Sequence, residues 1–308
     1  MADASTAAPV AADADAAKRL KDHVDKLLAR PAARSSSTIV LGGERLAYEV
    51  SAEFLPVQPD GLGSGAAPPE AAVFTTAYLR EGAAAAARPV CFAFNGGPGS
   101  ASVWLHLGAL GPKRVVVPDD ASAARPPYAV VDNPLSWLRH FDLVFIDPPH
   151  TGWSACASEA ARKKMLSVDG DVAALAEVMR AWLTRHGRWG STVYLAGESY
   201  GTTRGAALAD RLLGMGVGVA GVVLVSCAMD LQSIVFAPGN DLPFALFLPA
   251  FANVAQYHGL LKGPQAASPE AARAAAEAFV REDYASALLA GARLSVRERA
   301  RMARRIAE

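Results

Sequence analysis

The sequence predicts an α/β fold: a mixed, mostly parallel sheet with helices on both faces, leading into the beginning of a helical cap. Three observations carry this. Pro89 to Phe94 and Asp142 to Ile146 are unbroken apolar runs, as expected of strands covered on both faces. Between residues 142 and 225, strand-like runs alternate with helical ones, the rhythm of parallel crossovers. Thr192 to Gly205 passes from a short β-branched run through Gly197-Glu198-Ser199-Tyr200-Gly201 into a helix, and so fits the G-x-S-x-G pattern of a strand-to-helix turn that exposes a serine.

A chain of 308 residues suffices for one large domain or two smaller ones. The expected organisation is a partly disordered leader over 1–35, an α/β core over 36–229 that is incomplete as a sheet, and the start of a cap insertion over 230–308. Residues 1 to about 14 are rich in Ala and Asp and read as mobile. Residues 15 to 30 read as a charged helix ended by Pro31. Ser37 to Leu41 and Arg45 to Phe54 flank Gly42-Gly43 as a hairpin, a Pro/Gly-rich loop follows from Leu55 to Pro69, and Val73 to Arg80 is a third strand. Ser167 is placed to cap a helix with Asp169 and Asp171 in its first turn and Val172, Leu175, Met179, Trp182 and Leu183 on its apolar stripe. The strand ending in the serine turn comes next, then a helix from about Thr203 to Leu213 and a strand from Ala220 to Val225. Phe236 to Leu248 is aromatic and broken by proline. Ser268-Pro269-Glu270 starts one helix, and Ser295 with Glu298 forms a capping box for another.

Composition excludes several classes. Lys+Arg and Asp+Glu number 30 each, so the charge balance makes no case for nucleic acid or an anionic membrane as partner. No run of about 18 apolar residues suggests a membrane span. The N-terminus carries Asp13 and Asp15 and has no apolar h-region, so it does not read as a secretory signal, and the compartment stays open. Cys91, Cys156 and Cys227 match neither a zinc spacing nor a disulfide framework and read as small buried hydrophobes. The histidines show no metal-binding spacing, and neither metal nor cofactor is expected.

Serine acyl transfer needs an exposed nucleophile, a base, and N–H donors for the oxyanion. Ser199 supplies the first. Tyr200, the residue after it, supplies one donor. Asn95-Gly96-Gly97-Pro98-Gly99-Ser100 follows a buried strand and is suited to supply the other, because glycines let backbone approach a substrate closely.

Taken together, Asn95 to Ser100 and Gly197 to Gly201 resemble the serine carboxypeptidases, α/β-hydrolases that remove C-terminal residues. Asp147-Pro148-Pro149-His150-Thr151-Gly152-Trp153-Ser154 is similar to a third segment of that family, and the likeness spans about residues 72 to 260. The resemblance implies that Ser199 is the nucleophile, that the N–H groups of Gly97 and Tyr200 form the oxyanion hole, and that Asn95, Gly96 and Glu198 hold the terminal carboxylate of a peptide or protein substrate. Two facing carboxylates are tolerable only if they share a proton, so peptide binding should strengthen in acid. An esterase or acyltransferase on the same scaffold, or a non-catalytic relative, are the alternatives.

The chain also departs from the family. Ser100 stands where relatives often have cysteine, and Ala93 where many have tryptophan. Of the family's Gly-Asn-Gly-Asp segment, only Asp230 is matched. The triad aspartate and histidine come well after the serine in the family. Here His258 is the histidine that follows Ser199, and it falls in the cap region. The expectation is a fragment lacking both partners, catalytically crippled, with one sheet edge uncovered. His106 and His150 are expected to pack or to border the cleft.

Overall fold

The computed structural model describes residues 7–58, 67–82, 87–118, 120 and 122–308. The chain forms two compact units, one ending at Met229 and one beginning at Asp230. In the first, α1 (Ala7–Leu28) is followed by β1 (Ala33–Leu41), β2 (Glu44–Val57), β3 (Ala71–Arg80), β4 (Val90–Phe94) and α2 (Val103–Leu105), which continues as a π turn over His106–Leu110. Then come β5 (Lys113–Val115), β6 (Val130–Asp132), β7 (Asp142–Ile146), β8 (Ala155–Cys156), α3 (Glu159–Met165), α4 (Val168–Arg185), β9 (Val193–Glu198), α5 (Tyr200–Gly214) and β10 (Val219–Val225).

The main sheet has the order β1-β2-β3-β7-β4-β9-β10, with β8 paired to β3, while β5 and β6 make a separate ribbon. The β1–β2, β2–β3 and β3–β7 pairs are antiparallel. The strands β7, β4, β9 and β10 run parallel. The Gly42-Gly43 hairpin is as expected: Leu41 pairs with Glu44, and both glycines have positive φ (58° and 83°), which a two-residue turn of this hand requires.

Alternation along the central strands builds two cores. Val90, Phe92, Phe94, Val144 and Ile146 face Leu175, Met179 and Trp182 of α4 and Leu208 and Leu212 of α5. Cys91, Ala93, Leu143 and Phe145 face the other way, onto Leu105, Leu110 and Leu138. Helical segments therefore cover both faces, which explains why β4 and β7 carry no polar face. Ser167 caps α4 by accepting from the Gly170 amide at 3.1 Å. Asp142 accepts from Arg88 (2.9 Å) and Arg188 (2.7 Å), tying the start of β7 to the segments before β4 and β9.

Several elements differ from expectation. The first helix begins at Ala7 rather than residue 15, and Val24 and Leu27 pack it on Phe54 and Ala72. Residues 1–6 of the leader, 59–66 of the Pro/Gly-rich loop and 83–86 of the alanine run lie outside the described residues. The strand β2 continues to Val57, past the expected start of that loop. Cys91 and Cys156 are buried, which pushes their thiols up to about 12 and about 11, but Cys227 is exposed because it lies beyond the end of β10.

The second unit holds α6 (Leu242–Tyr257), α7 (Pro269–Phe279), α8 (Ala285–Ala290) and α9 (Val296–Ala307). Residues 242–248 of the aromatic stretch expected to be broken form the first half of α6. Pro243 sits in its first turn, where its missing N–H costs nothing, and Pro249 is accommodated inside the helix. Phe236 packs edge-on against Phe244 and Phe247, giving this helix tertiary support that propensity alone does not supply. Ser268 caps α7, and the capping box of Ser295 and Glu298 opens α9. Among the described residues no helix is long and apolar enough to cross a membrane.

Candidate active site

The two motifs meet because their strands are neighbours. In the parallel β4–β9 pair, Phe94 lies opposite Gly197, so the glycine loop and the serine turn leave the sheet side by side at the carboxyl ends of central strands. That is where open α/β sheets place their binding crevices. Gly96 is pressed into the turn: a Cβ built on it would lie 2.4 Å from the Tyr200 nitrogen and 2.5 Å from that of Gly201. Gly197 faces the first turn of α5 in the same way, its Cβ position 2.0 Å from the Gly201 oxygen. Both glycines are therefore required by close backbone approach.

Ser199 has φ 57° and ψ −125°, a conformation L-residues rarely adopt. The surroundings impose it. The Ser199 amide donates to the Val225 carbonyl (3.0 Å), and its own carbonyl accepts from the Thr202 amide (2.8 Å) and hydroxyl (2.7 Å). The Thr202 hydroxyl accepts in turn from the Ala228 amide at 2.9 Å, and Thr202 is fully buried. The Ser199 side chain caps no helix amide. The helix α5 starts at Tyr200, ahead of the expected Thr203, so the Tyr200 amide belongs to its first turn.

Asn95 is buried. Its amide nitrogen donates to Glu198 (2.9 Å), its side-chain oxygen accepts from the Leu105 amide (3.0 Å), and its backbone N–H reaches the Ser102 hydroxyl (3.3 Å). Ser102 donates to the Ile146 carbonyl through its hydroxyl and to Asp147 through its N–H (2.9 Å). Burial pushes the Asp147 carboxyl above the usual carboxylate range, against the N–H groups of Ser102 and Trp153 that favour its charge. Ser154 donates to the Asp147 carbonyl (2.8 Å) and accepts from the Phe74 amide (2.9 Å). The Asp147-to-Ser154 segment thus braces the glycine loop from behind.

The structure brings Asn95, Gly96, Glu198, Ser199 and Tyr200 together. Gly97 is next to them in the loop, at φ 106°, turned toward Gly99 and Ser100. His106 lies beneath the loop, stacked on Phe145 (4.4 Å between centroids), with Nε2 2.6 Å from the Tyr78 hydroxyl; burial lowers its pKa to about 4. His150 accepts from Arg162 at 2.8 Å, and His186 is paired with Glu53. In the second unit Asp230 accepts from the Gln232 amide, and His258 ends α6.

Sequence reading missed Arg204 and the full part played by Asp171. Arg204 is 1% exposed; its Nε donates to Asp171 (2.7 Å) and its Nη1 to the Asn95 carbonyl (2.6 Å). The signal was available: Arg204, Leu208 and Leu212 repeat every four residues, so the arginine shares the buried stripe of α5. A cavity of about 120 Å³ adjoins this cluster, lined by Pro98, Gly99, Pro149, His150, Tyr200 and Arg204.

Residues 76–217 match the family model described as serine carboxypeptidase. Over that span the chain is similar to the serine carboxypeptidase family. The matched span contains both motifs and the brace between them. No curated protein matches the chain. Among solved structures it is similar to the 2-hydroxy-6-oxo-6-phenylhexa-2,4-dienoate hydrolase of Rhodococcus sp. strain RHA1 (TM-score 0.35, 12% identity, 81% of this chain and 68% of that one). It is also similar to a cell-wall-degrading esterase, LipA, of Xanthomonas oryzae (TM-score 0.34, 13%, 81% and 69%). A third likeness is to a peroxisomal α/β-hydrolase of Saccharomyces cerevisiae (TM-score 0.31, 12%, 71% and 51%). The chain spans 58% of the length of a matched protein from Agrobacterium vitis S4.

Proposed function

We propose that the protein is a serine-type carboxypeptidase that releases C-terminal residues through an acyl-enzyme on Ser199. The observation that carries this reading is the strained Ser199 backbone at the end of a central strand, with Gly96 wedged against the Tyr200 amide. A residue held at positive φ by three hydrogen bonds stores strain where function needs it. In the reaction a general base, which is not among the residues placed at this site, takes the Ser199 proton as the oxygen adds to the scissile carbonyl and passes it to the departing amine, while the carbonyl oxygen becomes an anion met by the N–H groups of Tyr200 and Gly97. The amine of the C-terminal residue leaves, and water then releases the acyl group.

The peptidase form of the reading is supported by the bond from Asn95 to Glu198 at 2.9 Å, which joins two groups suited to a terminal carboxylate. The same serine turn would serve an esterase equally well, so substrate choice decides. Fluorophosphonate labelling mapped to Ser199 tests the nucleophile. Turnover of peptides with free and with amidated C-termini tests the carboxylate site. A carboxypeptidase loses at least about 100-fold in kcat/KM on amidation, because a site built to hydrogen-bond the carboxylate rejects a substrate that lacks it. Equal turnover of both, alongside ester hydrolysis, would establish the esterase instead.

A further inference from the structure

We infer that Arg204 and Asp171 are positioning residues for the reaction at Ser199, an ion pair that fixes the glycine loop against the nucleophile turn. The inference rests on the reading of Ser199 given above. Arg204 reaches three elements at once. It donates to Asp171 of α4 (2.7 Å), donates to the Asn95 carbonyl just past β4 (2.6 Å), and lies over the rings of Phe94 (5.6 Å) and Tyr200 (5.1 Å). The Tyr200 hydroxyl favours the charged form of Asp171. The two residues are 1% and 6% exposed.

The Asn95 carbonyl is the informative contact. A peptide group is planar, so its carbonyl oxygen and the next N–H point in opposite directions. Arg204 therefore sets the direction of the Gly96 N–H by holding the other end of the same plane. Gly96 is also the residue wedged against the Tyr200 amide. One guanidinium thus aligns both backbone segments that the proposed chemistry uses. A buried ion pair is a poor device for stability alone, since desolvation offsets its attraction and apolar residues of like volume do as well. Its value here is directional: a fork of donors fixes angles that a hydrophobic contact leaves free.

The test compares wild type with Asp171→Asn and Arg204→Lys, and with Arg211→Met as a control at an exposed position of α5. Amide hydrogen exchange over residues 95–100 reads loop position directly, and fluorophosphonate labelling reads the chemistry. Faster exchange confined to 95–100, with labelling slowed about 10- to 100-fold, is expected in both variants and not in Arg211→Met. Arg204→Lys, which keeps the charge but not the fork, should be the milder of the two. Exchange unchanged over 95–100, or raised equally across 142–146, would overturn the inference, because the pair would then be idle or merely structural. Failure of wild type to label would sink the reading of Ser199, while exchange would still decide the role of Arg204.

Discussion

A Cβ on Gly96 would sit 2.4 Å from the amide nitrogen of Tyr200, closer than any side chain tolerates. What it would strike is backbone, which cannot swing aside. Gly96→Ala must therefore push the loop off the turn. Ser199 labelling should fall at least about 100-fold, since misplacement by an ångström is enough for that. Overpacking should also cost about 1 to 3 kcal/mol in urea unfolding. A variant labelled at the wild-type rate would mean that the two segments do not work as one site.

Ser199 should be a position where stability and chemistry oppose each other. Glycine adopts φ 57°, ψ −125° without the penalty that a Cβ brings, whereas alanine retains the penalty. Ser199→Gly should raise stability by about 1 to 2 kcal/mol, Ser199→Ala should change it little, and neither should label. Equal stabilities in the two variants would remove the case for strain.

The Asp142 junction should be the costliest polar site in the sheet. Arg188, 3% exposed, would be left buried without its carboxylate in Asp142→Ala, and Arg88 would lose the same partner. A loss of about 3 to 5 kcal/mol in urea midpoint analysis is expected. A loss below about 1 kcal/mol would show that water reaches these guanidinium groups.

Acid should weaken the fold through His106 before it protonates most carboxylates. Burial holds the folded pKa near 4, below an unfolded value of about 6.5. The unfolded chain thus binds the proton first, so stability should be full above about pH 6.5 and fall as pH drops toward about 4. His106→Gln, which can still accept from Tyr78, should flatten that slope. An identical slope in the variant would place the acid sensitivity elsewhere.

Much of this architecture was legible where local chemistry leaves one solution. Gly42-Gly43 between alternating runs admits only a tight hairpin, and Ser167 ahead of Asp169 and Asp171 marks a helix start. The runs ending at Phe94 and Ile146 announce strands covered on both faces. The order of the two glycine motifs, each behind a buried strand, pointed to a candidate site, but not to the contact that joins them. What stayed hidden depends on partners distant in sequence. Nothing local to Arg204 says that it meets Asp171, 33 positions earlier, or the carbonyl of Asn95. The stretch from Phe236 to Leu248 reads as broken by proline because the aromatic packing that sustains α6 is tertiary. The short β5 and β6 pair carries too few residues for a period to emerge.

The three cysteines divide in a way that makes the protein easy to instrument. Cys91 and Cys156 are enclosed and held as thiols, so alkylating reagents at neutral pH should pass them by. Cys227 is open to solvent and immediately precedes Ala228, whose amide is bonded to Thr202 behind the serine. A maleimide dye would therefore attach at a single location, a few bonds from the scaffold that keeps Ser199 bent, and its emission would report when that scaffold moves.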